Sequence, residues 1–161
     1  MTKDIMTSVG EMLINKKLTI AFAESATAGR LCADFSMIEN AGTFLKGGIA
    51  CYDASIKESL LEVNTSLVEK YTPESMEVTR AIAKGLSIII PADIHVGITG
   101  LTCPGGSETE EKPVGTMFIY ALLYGDLLFS ERLVFQGDPL QILSGTVDRF
   151  AELLQMHLLN V

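Results

Sequence analysis

The spacing of apolar residues changes several times along the chain. Ile5, Met6, Val9, Met12 and Leu13 recur at helical intervals, whereas "LTIAFA" (18–23) is a compact apolar run suited to a buried strand. Thr27 to Ile38 returns to helical spacing, with Leu31, Phe35 and Ile38 on one face. "GGIACY" (47–52) is a second strand, and Ala54 to Leu61 a helix turning Ile56, Leu60 and Leu61 inward. A turn around Asn64 leads through "SLVEKY" to Pro73, which suits the first turn of a helix over "PESMEVTRAIAKGLSII". "IHVGIT" (94–99) is a third strand.

The last third changes character. "VGTMFIYALLY" and "LLFSERLVF" flank Gly125-Asp126 as a β-hairpin. Positions 138–158 form a closing helix with Leu140, Leu143, Val147, Phe150, Leu153 and Leu154 as its apolar stripe. Strands alternating with helices and then a hairpin predict one three-layer α/β/α domain over 1–161, with a mixed sheet and a C-terminal hairpin plus helix.

Composition narrows the function classes. The 161 residues and an apolar fraction of 48% fit a single compact core and exclude disorder. A formal net charge of −8, with the basic residues scattered, argues against nucleic acid as a partner. No apolar run is long enough to span a bilayer, and the N-terminal "MTKDIMTSVGEML" lacks the features of a signal peptide. Cys32, Cys51 and Cys103 form no paired spacing, so a reduced, cytoplasmic setting is expected.

Candidate chemistry concentrates in "FAESATAGR" (22–30), where a strand gives way to a helix. Helix N-termini carry free N–H groups and partial positive charge, which would stabilise an oxyanion formed at Ser25. Equally, Ser25 or Thr27 is of the type that caps a helix, and the local pattern leaves both readings open. A nucleophilic serine needs a base. His95 lies inside a strand and His157 near the C-terminus, which leaves lysine; Lys57, early in a helix just after a strand, is the candidate, while residue type and position alone favour a solvated helix lysine there. The polar loop "GLTCPGGSETEEKP" (100–113) follows a strand end, where its backbone N–H groups are placed to cradle an anion. The His and Cys spacing indicates no metal site, and no Gly-rich nucleotide fingerprint occurs.

Three spaced runs together resemble the CinA C-terminal domain family, whose active members are nicotinamide mononucleotide (NMN) deamidases. "AESATAG" (23–29) is similar to the family's Ala-Glu-Ser-Cys-Thr-Gly-Gly. "GGIACYDASIK" (47–57) matches a Gly-Gly-(x)3-Tyr-(x)4-Lys segment. "TGLTCPGG" (99–106) with "EKPVGT" (111–116) matches a third. The resemblance implies an amidohydrolase that converts NMN to nicotinate mononucleotide and ammonia in pyridine-nucleotide recycling, without metal or cofactor. Carried over by position, Ser25 is the nucleophile, Lys57 its partner and Tyr52 a neighbour. Glu24, Thr27, Gly29, Arg30 and Gly48, with Thr99, Gly100, Gly105 and Gly106, would shape or line the substrate site. Family members self-associate, so a homo-oligomer is the expectation.

The chain departs from the family's runs at three places. Ala26 and Ala28 stand for Cys and Gly, and the Cβ at 28 is expected to crowd a ligand. Thr102 and Cys103 stand for Ala and Gly. "FQGDP" (135–139) replaces a run that ends in arginine, a natural phosphate ligand, leaving Arg30 as a substitute. These departures keep two rivals in view: a hydrolase of an amide that lacks phosphate, and a non-catalytic relative that binds a nucleotide or a protein.

Overall fold

The computed structural model describes residues 2–161. In chain order the elements are α1 (Thr2–Lys16), β1 (Ile20–Glu24), α2 (Arg30–Ser36), a short 3-10 turn (Ala41–Thr43), β2 (Leu45–Ala50), α3 (Ala54–Leu61), α4 (Thr65–Tyr71), α5 (Met76–Ile89), β3 (Ile94–Gly100), β4 (Thr116–Leu123), β5 (Asp126–Val134) and α6 (Pro139–Leu158). One five-stranded sheet has the order β2-β1-β3-β4-β5. Strands β1, β2 and β3 run parallel, and β4 and β5 are antiparallel additions. This is the mixed three-layer arrangement that the alternation of patterns predicts.

Local chemistry explains most boundaries. Asp53 opens α3 by accepting from the Ser55 N–H, Asn64 opens α4 through Ser66, and Ser75 opens α5 through Val78. Asp138 and Gln141 form a capping box at α6, with Pro139 at its first position. Five sequence expectations are corrected. "SLVEKY" is a helix of its own, because Asn64 caps it. Helix α5 starts at Met76 rather than Pro73. On α3 the buried face is Lys57 and Leu61, while Ile56 and Leu60 are exposed; on α6 Leu140 is exposed and Ile142 takes its place in the core. The hairpin turns one residue early, at Tyr124-Gly125. Both have positive φ (52° and 87°), the signature of a two-residue type I′ turn, and sequence scanning passes over Tyr there because it rarely adopts that region.

Two cores flank the sheet. On one face α1, α2 and α6 cover an aromatic centre in which Phe22 packs edge-on against Phe35 (5.0 Å) and Phe150 (5.8 Å). On the other face α3, α4 and α5 cover Ala21, Ala23, Cys51, Val78, Ile82 and Leu86. The chain leaves β1 through α2 to reach β2, then crosses the opposite face through α3–α5 to reach β3. Strand β1 is therefore the point where the winding reverses, and ligands of open α/β sheets bind beyond the strand ends at such a point.

Helix α5 runs back along β3, which brings its N-terminus to the same edge. The contact is close: a Cβ on Gly97 of β3 would lie 2.3 Å from the Thr79 carbonyl oxygen and 3.0 Å from Ile82. Gly97→Ala therefore has to push α5 off the sheet. We expect a loss of about 2–3 kcal/mol, read as a lower midpoint in urea unfolding.

Candidate active site

The parallel strands end at Glu24, Ala50 and Gly100, and the segments that follow them meet. Ser25 is held by its own N–H, which donates to the Ile98 carbonyl at 2.9 Å. Glu24 is 1% exposed, yet its carboxylate is fully engaged. It accepts from the N–H groups of Gly29 (3.1 Å), Leu31 (3.0 Å) and Cys32 (2.8 Å). Glu24 thus caps α2 from five residues upstream of its cap residue, Gly29, which makes no side-chain cap itself. The expected start of α2 at Thr27 is corrected for this reason, and neither Ser25 nor Thr27 is the cap. The Thr27 hydroxyl is buried without a partner.

Backbone bonds within the turn decide which N–H groups are available. Ala28 donates to Ser25, Arg30 to Thr27 and Gly29 to Glu24. Only the N–H groups of Ala26 and Thr27 remain without an internal acceptor among the residues of this turn. Ala28 sits at φ 50°, a conformation that favours Gly, but it is exposed and lies outside the cleft, so its Cβ crowds nothing there.

Lys57 is 1% exposed. Its Nζ donates to the carbonyl oxygens of Cys51 (2.9 Å) and Tyr52 (3.2 Å). Cys51 in turn donates its N–H to the Glu24 carbonyl at 2.8 Å, so the amine lies behind the strand end that carries Ser25. The Ser25 hydroxyl is not itself hydrogen-bonded to Lys57. Burial pulls the Lys57 amine below the usual lysine range, against the Cys51 sulfur and the carboxylates of Glu74 and Asp53, which raise it. The chemistry of a neutral amine suits this setting. Its two N–H bonds match the two carbonyls, leaving one lone pair to take a proton.

The cleft above Ser25 measures about 240 Å³. Of the residues expected at the site, Ser25, Tyr52, Gly100, Gly105 and Gly106 line it. Glu24, Thr27 and Gly29 belong to the adjoining turn and are not among its lining residues. Three others lie elsewhere. Arg30 pairs with Asp34 at 2.8 Å along α2. Gly48 lies against β1 and α2, where a Cβ would sit 2.9 Å from the Phe22 carbonyl. The Thr99 hydroxyl bonds Thr79 at 2.8 Å in the interior.

The sequence reading missed Glu74, which lines the cleft from the segment before α5. The Ser107 hydroxyl donates to its carboxylate. Lys112 donates to Ser107 (2.7 Å), to the Thr72 hydroxyl (2.6 Å) and to the Glu74 carbonyl (2.8 Å), pinning the 101–115 loop over the site. The loop's base closes through Leu101 and Thr116 (2.9 Å) and through Gly115 and Leu101 (2.7 Å). A polar residue before a cap and a Ser in a Gly-rich loop were the only available signals, and neither identifies its partner. Both histidines are structural: His95 Nε2 meets the Ile90 carbonyl and His157 Nδ1 the Leu153 carbonyl, each at 2.8 Å. No cluster that could hold a metal occurs among the described residues.

A family model for the CinA C-terminal domain matches residues 2–158. The chain belongs to the CinA C-terminal domain family. A CinA-like protein of Dictyoglomus thermophilum is 34% identical over 153 residues, covering 95% of this chain and 37% of the relative. One from Desulfotalea psychrophila is 33% identical, covering 94% and 36%. The chain therefore spans little more than a third of these curated relatives. Among solved structures, a CinA superfamily protein of Klebsiella pneumoniae superposes with a TM-score of 0.93 at 24% identity, covering 100% and 99% of the two chains. One from Escherichia coli gives 0.88 at 26%, covering 99% and 90%. Among the described residues no helix is long and apolar enough to cross a membrane.

In this CinA domain the capping carboxylate is the element that positions the serine. Glu24→Gln replaces charge-assisted acceptors with one neutral oxygen and sets an NH₂ against backbone donors. We expect about 2 kcal/mol of destabilisation in urea or thermal unfolding.

Proposed function

We propose that this CinA domain is an amidohydrolase of the NMN deamidase type, with Ser25 as nucleophile and Lys57 as its base. The observation that carries the reading is Lys57: a buried amine, pulled toward its neutral form, whose hydrogens are directed at two carbonyls behind the serine. The Ser25 oxygen attacks the carboxamide carbon while Lys57 accepts its proton. The tetrahedral oxyanion is met by the N–H groups of Ala26 and Thr27, the two left unengaged in the turn. Collapse of the intermediate breaks the C–N bond, and Lys57 returns the proton to the leaving nitrogen, which departs as ammonia. Water then adds to the acyl-serine with Lys57 again as base, releasing the carboxylate product. The steps use no cofactor.

Purified protein is expected to release ammonia from NMN. Ser25→Ala and Lys57→Ala should each lower the rate by about a thousandfold or more. Lys57→Arg should not restore it, because a guanidinium does not give up its proton at working pH. Wild-type turnover no faster than that of these variants would sink the proposal, and ligand-dependent thermal stabilisation without turnover would favour a binding protein instead.

The pH profile carries its own sign. The neutral amine is the active form, so kcat/KM should rise with pH along a single acid limb. Because burial lowers the amine's pKa, the midpoint should fall below the ordinary lysine range. A limb centred at or above that range would remove Lys57 as the base.

A further inference from the structure

The side chains that line the cleft include no cation for a phosphate. Neither lysine, arginine nor histidine is among its lining residues, while Glu74 is. One Glu74 oxygen is held by Ser107; the other, Oε1, faces Gly106, 3.9 Å from where a Cβ on that glycine would lie. The consecutive N–H groups of Gly105 and Gly106, the loop's natural anion receptor, are already filled. Both donate to the carboxylate of Glu108 at 2.8 Å, one to each oxygen. These bonds hold the Glu108 carboxyl below its usual range.

Lys57, Arg30 and Lys112, outside the lining, are hydrogen-bonded to other groups, Lys57 to the Cys51 and Tyr52 carbonyls. Arg30 is bonded to Asp34 on α2, and Lys112 is tied to three oxygens in the clasp. Pro139 stands at the first position of α6, where it offers no donor, and Asp138 before it is a cap. A cation, in contrast, is well provided for. Tyr52, 63% exposed, and Glu74 both line the cleft, an aromatic ring and a carboxylate of the kind that meet a cation. The volume, about 240 Å³, is below the ~300–1,000 Å³ of typical ligand pockets.

We propose that this cleft prefers a carboxamide borne on a cationic, phosphate-free carrier, an N-ribosylated pyridinium, with Glu74 and Tyr52 meeting the cation and Glu108 disfavouring a phosphate. The inference rests on the amidohydrolase reading for the identity of the carboxamide. NMN then remains a substrate, but its phosphate adds repulsion rather than affinity.

The test is calorimetric binding of nicotinamide riboside and of NMN to the Ser25→Ala protein, which needs no turnover. The riboside should bind about fivefold tighter or more at low salt, with the ratio narrowing as salt is raised. Glu108→Gln should tighten NMN severalfold and leave the riboside within about twofold. Glu74→Gln keeps an oxygen for Ser107 and should weaken the riboside severalfold. Tighter or equal binding of NMN by the parent protein overturns the inference, as does a ratio that neither variant moves. Binding of neither compound overturns it too. Ammonia release by the wild-type protein reports separately on the hydrolase reading, so the two failures are distinguishable.

Discussion

A single carboxylate organises this site. Glu24 is buried at the end of β1, where an unpaired charge would be prohibitively costly, and three backbone N–H groups of the following segment satisfy it. The same bonds cap α2 and fold residues 25–29 into a tight turn. That turn fixes Ser25 against β3 through its N–H bond to Ile98 and, among its own residues, leaves the Ala26 and Thr27 N–H groups without an acceptor. The dipole of α2 is directed at Glu24 and not at the substrate. On the proposed mechanism an oxyanion in this cleft would be met by the turn and not by the helix end, which differs from the usual placement of an anion on a helix N-terminus.

The sheet's winding brings the remaining parts to the same edge. Strands β1 and β2 are adjacent, so Cys51 follows directly beside Glu24 and its carbonyl becomes an acceptor for Lys57. Helix α5 must approach β3 closely enough that only glycine fits at position 97. That approach delivers Glu74 to the cleft and sets Thr79 against Thr99. The 101–115 loop is long, yet it is an ordered lid of backbone closures and the Lys112 clasp. Residues far apart in the chain, Thr72, Glu74, Ser107 and Lys112, make one hydrogen-bonded unit.

What the sequence made legible follows from this division. Helices α3 and α6 begin where the sequence placed them, beside their caps Asp53 and Asp138, whereas α5 was placed from Pro73, ahead of its cap Ser75; the layered α/β class followed from the alternation of patterns. Helix α2 was misplaced because its cap is Glu24, upstream of a turn that no periodicity reveals. The inward face of α3 was misread for a related reason. Lys57 shares a helical face with Leu61, and hydropathy assigns a lysine to solvent; its burial depends on carbonyls supplied by a neighbouring strand end. Ser25 and Lys57 were paired through resemblance to the family's three runs and not through spacing. Glu74 and Glu108 were out of reach, since a carboxylate's meaning here depends on whether it faces a cleft or fills a backbone receptor, and topology alone decides that.

The opposing influences on Lys57 connect the site's charge to its chemistry. Burial lowers the amine's pKa, while the carboxylates of Glu74 and Asp53 raise it, and burial prevails. A ligand entering beside Glu74 adds its own charge to this balance. A pyridinium would offset the Glu74 carboxylate and push the amine further toward the neutral form, which on the proposed mechanism takes the serine proton. A phosphate in the same space would add to the negative field and hold the amine protonated. On the proposed selectivity, the feature that makes a ligand bind also readies the base, so recognition of the cation and activation of Ser25 are one electrostatic event rather than two.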